Sequence, residues 1–439
     1  MLILICLGLA LMAVAGIFRP FLGLLGLLMI NVVQPGELYP VLAAFHVERV
    51  LAALVLISFF AHGHRLVFPK ITRSVLYFWS AMFLACPLAI WRANALSTTI
   101  EFGQIVVYHL MIVALVDEED RVKRFLVVFA GLTGWLAASS LYLYSTGKLQ
   151  VAMGIERAVG LTSAGGDPNR LGITLVTSIP LVALLLSRES SKRLRLLAGG
   201  VITISIATLI ATGSRTSFFA LLVALLLWTL GGRSKLMYTS VAVLLVLLLW
   251  FLIPEQYKNR YKTVESLNSD DSYQNRLTAW RAGWAMFRAN PLTGMGPGNY
   301  AMASGTRYWP RKDHKLWLNA HSLFFKTIGE LGIVGFIAFL NFIVVHFRLN
   351  RWLKAAAKAL PSAGSLVRDY PSACATSLLL LLFTGYSSHN LYRNTWYMLA
   401  ALSGAMQQIV LDMQLKATTG KEEALVSVPA VACTEELFA

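Results

Sequence analysis

One histidine and a scatter of arginines carry most of the chemical potential of this 439-residue chain. His321 stands in the stretch NAHSLFFKTIGELG, where a long polar segment gives way to an apolar run, with Asn319 and Ser322 close by. An imidazole at such a boundary titrates near neutral pH and can take a proton from an attacking hydroxyl; it can equally be an ordinary hydrogen-bonded histidine. Arg215, in ATGSRTSFFALL, opens another apolar run. A guanidinium at a helix start suits a phosphate arriving at a bilayer surface, and snorkelling to lipid phosphate explains it as well. From Arg276 the sequence RLTAWRAGWAMFRANP reads as an amphipathic helix ended by Pro291. Leu277, Trp280, Trp284 and Phe287 would face the membrane, the tryptophans at headgroup depth. Arg281 and Arg288, seven apart, would project from another face toward phosphate, while Arg276 at the helix start gains from the positive dipole end. The competing reading is an interfacial anchor whose basic residues touch lipid headgroups.

Other polar residues look like support for these groups. Lys326 and Glu330 fall inside the apolar run after His321, where ionisable side chains are costly and are usually paired, so Glu330 reads as a structural or positioning group. Gly329, Gly332 and Gly335 would let a partner helix pack closely. The turn PLTGMGPGNY, residues 291–300, permits close backbone approach to a ligand or simply a tight bend. Arg157, Asp167, Asn169 and Arg170 belong to a Gly- and Pro-containing loop, IERAVGLTSAGGDPNR, that leads into another run and offers Arg157, Asn169 and Arg170 as positioning groups. Asp270 and Asp271 could be imagined holding a divalent ion, but adjacent carboxylates in a Ser/Asn-rich stretch are ordinary loop surface more often. No metal and no cofactor is expected. Cys6, Cys86, Cys374 and Cys433 lie far apart with no CxxC spacing, so neither a disulfide nor a zinc site is expected.

The elements that must position these residues are membrane helices. The chain is 57% hydrophobic and 14% charged, against roughly 45–50% and 25% in soluble domains, which excludes a soluble globular enzyme. Apolar runs at 1–18, 21–34, 48–62, 75–92, 100–117, 121–144, 171–187, 196–213, 215–230, 236–253, 322–345, 372–388 and 395–411 give an all-α polytopic protein with twelve or thirteen spans. The run 21–34 is short enough to be re-entrant. The first run resembles a signal peptide, but no basic residue precedes Arg19 and apolar sequence resumes at once, so it reads as an uncleaved span. Basic clusters at 64–73, 121–124, 188–195, 233–235 and 348–368 fall on one side if the spans alternate, and that side is expected to be cytoplasmic. The segments 34–47, 93–99, 145–170, 213–215, 254–320 and 389–394 are then extracytoplasmic. The chain divides into helices at 1–253, a long outer loop at 254–320, helices at 321–411 and a disordered cytoplasmic tail at 412–439.

The net charge of +16 is informative only by position. Lys258, Arg260, Lys262, Arg276, Arg281, Arg288, Arg307, Arg311, Lys312 and Lys315 crowd the outer loop against five carboxylates. Long loops escape the usual charge bias, so these could be plain solvated surface. The excess, and the preference for Arg beyond residue 275, points instead to a phosphate-bearing ligand and membrane lipid as partners, with no nucleic acid.

The combination SRTSFFALL at 214, RLTAW with NPLTGMGPGNY across 276–300, and AHSLFFKTIGELGIVGF at 320–336 resembles the O-antigen ligase and polymerase superfamily of bacterial membrane glycosyltransferases. GGDPNRLG at 165–172 is similar to that family's turn, and NLYRNTWY at 390–397 resembles the subgroup linked to exosortase and exopolysaccharide loci. The resemblance implies a GT-C-like helical enzyme on the outer face of the inner membrane, taking a glycan from undecaprenyl diphosphate without a metal. It implies His321 as the base, Arg215 and Arg276 as diphosphate ligands, and Arg288 beside them. The acceptor would be lipid A core or a similar hydroxyl, for lipopolysaccharide or exopolysaccharide synthesis. Where the family's ligases often read HN, Ser322 follows His321 here, which leaves repeat-unit polymerisation as the second reading. A transporter or flippase for an anionic or lipid-linked glycan is the third; it should show internal repeats and charges lining a mid-membrane cavity, and no clear repeat is present.

Overall fold

Apolar runs inside a bilayer can satisfy their backbone only as helices, and the computed structural model of the chain is helical almost throughout. It describes residues 2–152, 155–162, 166–231, 239–240, 243–244, 246–247, 251, 255, 271–308 and 317–426. The first half contains α1 (Leu2–Phe18), α2 (Pro20–Val33), the short α3 (Pro35–Leu38) and α4 (Pro40–Ala44), α5 (Val47–Ala61), α6 (Lys70–Ala85), α7 (Arg92–Leu115) and α8 (Glu119–Ser145). A two-stranded hairpin, β1 (Gln150–Ala152) and β2 (Ile155–Arg157), precedes α9 (Pro168–Ala183), α10 (Lys192–Ala211) and α11 (Arg215–Gly231). Then come α12 (Asp271–Ala289), α13 (Tyr300–Thr306), α14 (Leu323–Ala359), α15 (Ser365–Gly385) and α16 (Asn394–Val426).

This is an all-α polytopic membrane protein. Among the described residues six helices are long and apolar enough to cross a bilayer: α7, α8, α9 with the turn after it, α10, α14 and α15; α1, α2 and α11 are shorter apolar helices. Each apolar run coincides with a helix except 236–253, which lies largely outside the described residues. Several boundaries move. Helix α6 starts at Lys70 and α7 at Arg92, earlier than hydropathy alone suggests, because their first turns are polar yet helical. Helix α14 continues to Ala359 through a basic, amphipathic extension. Of the tail expected to be disordered from Asp412, the part as far as Val426 is helix, where α16 ends, and residues 427–439 lie outside the described residues. The β1–β2 hairpin, pairing Gln150 with Arg157 and Ala152 with Ile155, is the departure from an all-helical expectation.

The loops sort into two ends of the bundle. At one end Glu189 accepts hydrogen bonds from the Ser365 N–H and hydroxyl, both at 2.8 Å, and lies 3.6 Å from Arg368. Gly364 presses against Glu119 at the same end. At the other, Ile90 donates to Met295, Thr216 shares a hydrogen bond with Ser387 at 2.7 Å, and Arg393 reaches Arg170. Between the ends sits an aromatic core in which Phe102 and Tyr397 rings meet edge to face at 4.8 Å, with Phe78, Phe339, Phe342 and Trp396 around them.

One helix is broken. Gly332 of α14 has φ 61° and ψ −156°, outside any helix, so the ladder around it opens. The freed groups pair with the Gly-rich turn: the Met295 and Gly296 N–H groups donate to the Gly329 and Glu330 carbonyls, both at 2.8 Å, and the Ile333 and Val334 N–H groups donate to Pro291 and Leu292 at 2.8 and 3.2 Å. A Cβ at Gly332 would stand 2.4 Å from the Leu292 backbone, and one at Gly294 would stand 2.5 Å from Glu330. Of the two sequence readings of this turn, the structure thus shows a close backbone joint with α14. The broken segment keeps its backbone satisfied at membrane depth because protein, and not lipid, surrounds it.

Candidate functional site

The end of the bundle that holds this joint also holds a cavity of about 630 Å³. Four elements of the chain supply its chemistry. From the start of α9 come Asp167, Asn169 and Arg170; from α12, Arg276; from the α13–α14 connection and first turn of α14, Asn319, His321 and Lys326; from the α15–α16 connection, His389, Asn390 and Arg393.

Local sequence explains each placement. Asp167 caps α9, accepting from the Arg170 N–H at 2.9 Å, and Pro168 takes the first helical position where no N–H is needed. Gly172, one turn on, lies so close to α11 that a Cβ would meet the Ser217 hydroxyl at 2.5 Å. Arg157, on β2, is buried; it donates to the Thr212 carbonyl at the end of α10 at 2.7 Å and to Asn169 at 3.0 Å. It stands behind the cavity wall and holds Asn169. Ser322 caps α14, and the residue before it, His321, is held at φ 44°. A non-glycine residue in the left-handed region costs about 1–3 kcal/mol and persists only where its surroundings fix it, which is typical of functional positions.

Glu330 is fully buried behind the wall and gathers four donors. Oε2 accepts from the Gly298 N–H at 3.0 Å and the Tyr392 hydroxyl at 2.7 Å; Oε1 accepts from the Tyr300 N–H at 3.2 Å and lies 3.3 Å from Lys326 Nζ. Lys326 also sits over the Tyr392 ring, 5.3 Å from its centroid. One carboxylate thereby ties the Gly-rich turn, α14 and the last connection together around the cavity. Asn299, also buried, ties the turn to the start of α7 through Asn94 at 2.9 Å and the Trp91 carbonyl at 3.1 Å.

Helix α12 shows which of its arginines face inward. Ala279, Ala282, Gly283 and Met286 are buried, and the Tyr300 hydroxyl donates to the Ala279 carbonyl at 2.6 Å. Arg276 shares the cavity-facing side with Trp280, whose ring stacks on Phe325 at 5.5 Å and meets Tyr386 at 5.3 Å. The expectation that Trp280 sits at the headgroups is therefore corrected: it packs within the protein, and Trp284, 45% exposed, remains on the outer face. Arg281 and Arg288 are exposed and do not line the cavity. Arg215 begins α11 beside Thr216, which bonds the cavity residue Ser387, but its own side chain is not part of the lining. Asp271 opens α12; Asp270 lies outside the described residues, as does Cys433, while Cys6, Cys86 and Cys374 are free thiols.

The cavity is electrostatically lopsided. Among its described lining residues Arg170, Arg276, Lys326 and Arg393 face one carboxylate, Asp167. Burial and the Arg276 guanidinium hold the His321 imidazole below the usual histidine range, with Asp167 opposing and Lys326 adding to the depression. His321 is therefore a neutral base at neutral pH. The His389 ring lies 5.3 Å away, edge to face, and burial among Lys326, His321 and the arginines brings it down to about 2. Such a chamber can bind a multiply charged anion and remove a proton beside it.

Sequence reasoning did not single out Arg393 or His389 and treated Lys326 only as half of a pair. A basic residue in a short connection on the side away from the other basic clusters was the available signal.

Residues 199–340 match the family model described as O-antigen ligase. No curated protein matches the chain. The match supports membership of the O-antigen ligase and polymerase superfamily and, in general terms, a membrane-embedded ligase- or polymerase-type function. It covers Arg276, Asn319, His321 and Lys326 of the cavity, and leaves Asp167, Arg170, His389 and Arg393 outside.

Proposed function

We propose that the chain transfers a glycan from undecaprenyl diphosphate to an acceptor hydroxyl, in the manner of an O-antigen ligase, on the periplasmic face of the bacterial inner membrane. The observation that carries this reading is the convergence of His321, Arg276, Arg170 and Lys326 on one cavity with a single carboxylate among its described lining residues. A glycosyl diphosphate leaves with its bonding electrons and its negative charge, and fixed guanidinium donors stabilise that charge most as the bond breaks. His321 takes the hydroxyl proton of the acceptor, the acceptor oxygen forms the new bond to the anomeric carbon, and the carbon–oxygen bond to the diphosphate breaks on the opposite face. The anomeric centre is inverted, and undecaprenyl diphosphate departs.

Glu330 and Arg157 act here as positioning residues, and Asn169 as a cavity-lining hydrogen-bonding group. Arg276 and Arg170 are the diphosphate ligands of this reading. Arg215, outside the lining, has a place at the rim through its neighbour Thr216. Arg281 and Arg288 are left to the lipid headgroups. Lipid A core is the proposed acceptor. Repeat-unit polymerisation is the same chemistry with a second lipid-linked glycan as acceptor, and Ser322 in place of the asparagine common in ligases keeps it as the second reading. A transporter for such lipids would need the anion site but no base, so the strained, neutral His321 argues for transfer.

The test is to incubate detergent-purified full-length protein with lipid-linked glycan and lipid A core and resolve the products on a gel. A single addition supports ligation, a ladder without acceptor supports polymerisation, and unchanged donor with both acceptors would end the transferase reading.

A further inference from the structure

The stretch from His389 to Asn394, joining α15 to α16, lies outside the family match and has no part in the transfer chemistry above. His389, Asn390, Arg393 and Asn394 all line the cavity, and each keeps a buried polar atom without a partner: Nδ1, Oδ1, Nη1 and Oδ1 respectively. Buried polar atoms in folded proteins are nearly always paired, so a run of unpaired ones along a single cavity wall asks for a partner that the chain itself does not supply.

Arg393 is the strongest of these groups. Its Nη2 donates to the main-chain carbonyl of Arg170 at 3.2 Å, which fixes the guanidinium next to a second arginine. Burial and the Arg170 charge bring the Arg393 guanidinium down to about 9, against the pull of Asp167. Arg170 and Arg393 both line the cavity, and like charges held close together are eased by an anion placed between them. A single guanidinium fork satisfies one phosphoryl group; a second phosphoryl group asks for a second fork.

We propose that Arg393 is an anion ligand of this cavity and that, with Arg170, it forms a fixed pair selecting a diphosphate headgroup over a monophosphate. This rests on reading the cavity as a lipid diphosphate site. Arg170 and Arg393 are 223 positions apart in the chain, so the pair exists only in the folded protein. Nη1 is buried and left without a partner, while Nη2 is occupied by the Arg170 carbonyl.

The experiment titrates detergent-purified full-length protein with undecaprenyl diphosphate and, separately, undecaprenyl monophosphate, reading each dissociation constant by native mass spectrometry. Arg393→Gln should weaken the diphosphate by about tenfold to a hundredfold, the loss expected for charge-assisted hydrogen bonds, and change the monophosphate far less. Arg393→Lys should fall between, keeping the charge without the fork. Wild-type diphosphate affinity in Arg393→Gln overturns the proposal, and so does an equal loss of both ligands, the signature of a damaged fold. If Arg276→Gln loses the diphosphate while Arg393→Gln binds it normally, the cavity reading stands and this inference falls. If the wild-type chain does not bind undecaprenyl diphosphate, both fall.

Discussion

Arg121 and Arg124 lie 2.8 and 2.6 Å from Asp117 and Asp120, and Arg368 lies 3.6 Å from Glu189, all partly exposed at the end of the bundle away from the cavity. At the cavity end Arg170, Arg276, Lys326 and Arg393 share a lining with Asp167, and Lys326 pairs with Glu330 behind them. The same residue types do different work in the two places. Exposed pairs contribute about 0–1 kcal/mol each and mainly mark which side of a membrane a loop occupies. Cations gathered on one cavity in excess of the carboxylates in its described lining cost stability, and that cost is intelligible where an anion is to be bound.

The sharpest way to break this contrast is His321→Ala, which should lower glycan transfer by about 10²- to 10⁴-fold, the usual worth of a general base, while insertion and thermal stability stay near wild type. Transfer at the wild-type rate would remove the histidine from the chemistry. Next in size is Arg276→Ala, expected to cost about 10²- to 10³-fold as one donor to the leaving charge is lost. Arg276 also has a signature in pH. With His321 as the proposed neutral base, the rate should fall as pH drops through its depressed pKa, and the acid limb should lie below the ordinary histidine value. Removing the Arg276 charge raises that pKa and moves the limb to higher pH; a limb that stays put in a pH–rate profile would separate the two residues. The smallest effect is expected from Arg281→Ala and Arg288→Ala, on the exposed face of α12, with transfer within roughly twofold of wild type. A large loss in either would move part of the anion site outside the cavity.

Much of the architecture was legible because membrane helices announce themselves by long apolar runs, and the Gly- and Pro-containing loop before α9 read as leading into a helix, which the Asp167–Pro168 cap begins. His321 stood out because a titratable ring at the start of an apolar run is unusual. The inward turn of Arg276, against the outward turn of Arg281 and Arg288, was not legible: helical periodicity separates faces but does not say which face another element covers. Trp280 was misplaced for the same reason, since Phe325 and Tyr386, which cover it, are distant in the chain. Arg393 escaped notice because its significance depends on Arg170. The break in α14 needed knowledge that Leu292 lies against Gly332, which spacing cannot supply.

The exchange of hydrogen bonds between residues 291–296 and 329–334 has a mechanical consequence. It welds the turn after α12 to a helix anchored in the bilayer, so a lid swinging on that seam would strip four backbone pairs at once in surroundings poor in water. A bulky substrate entering the chamber would have to use some other door, with this seam as its rigid frame.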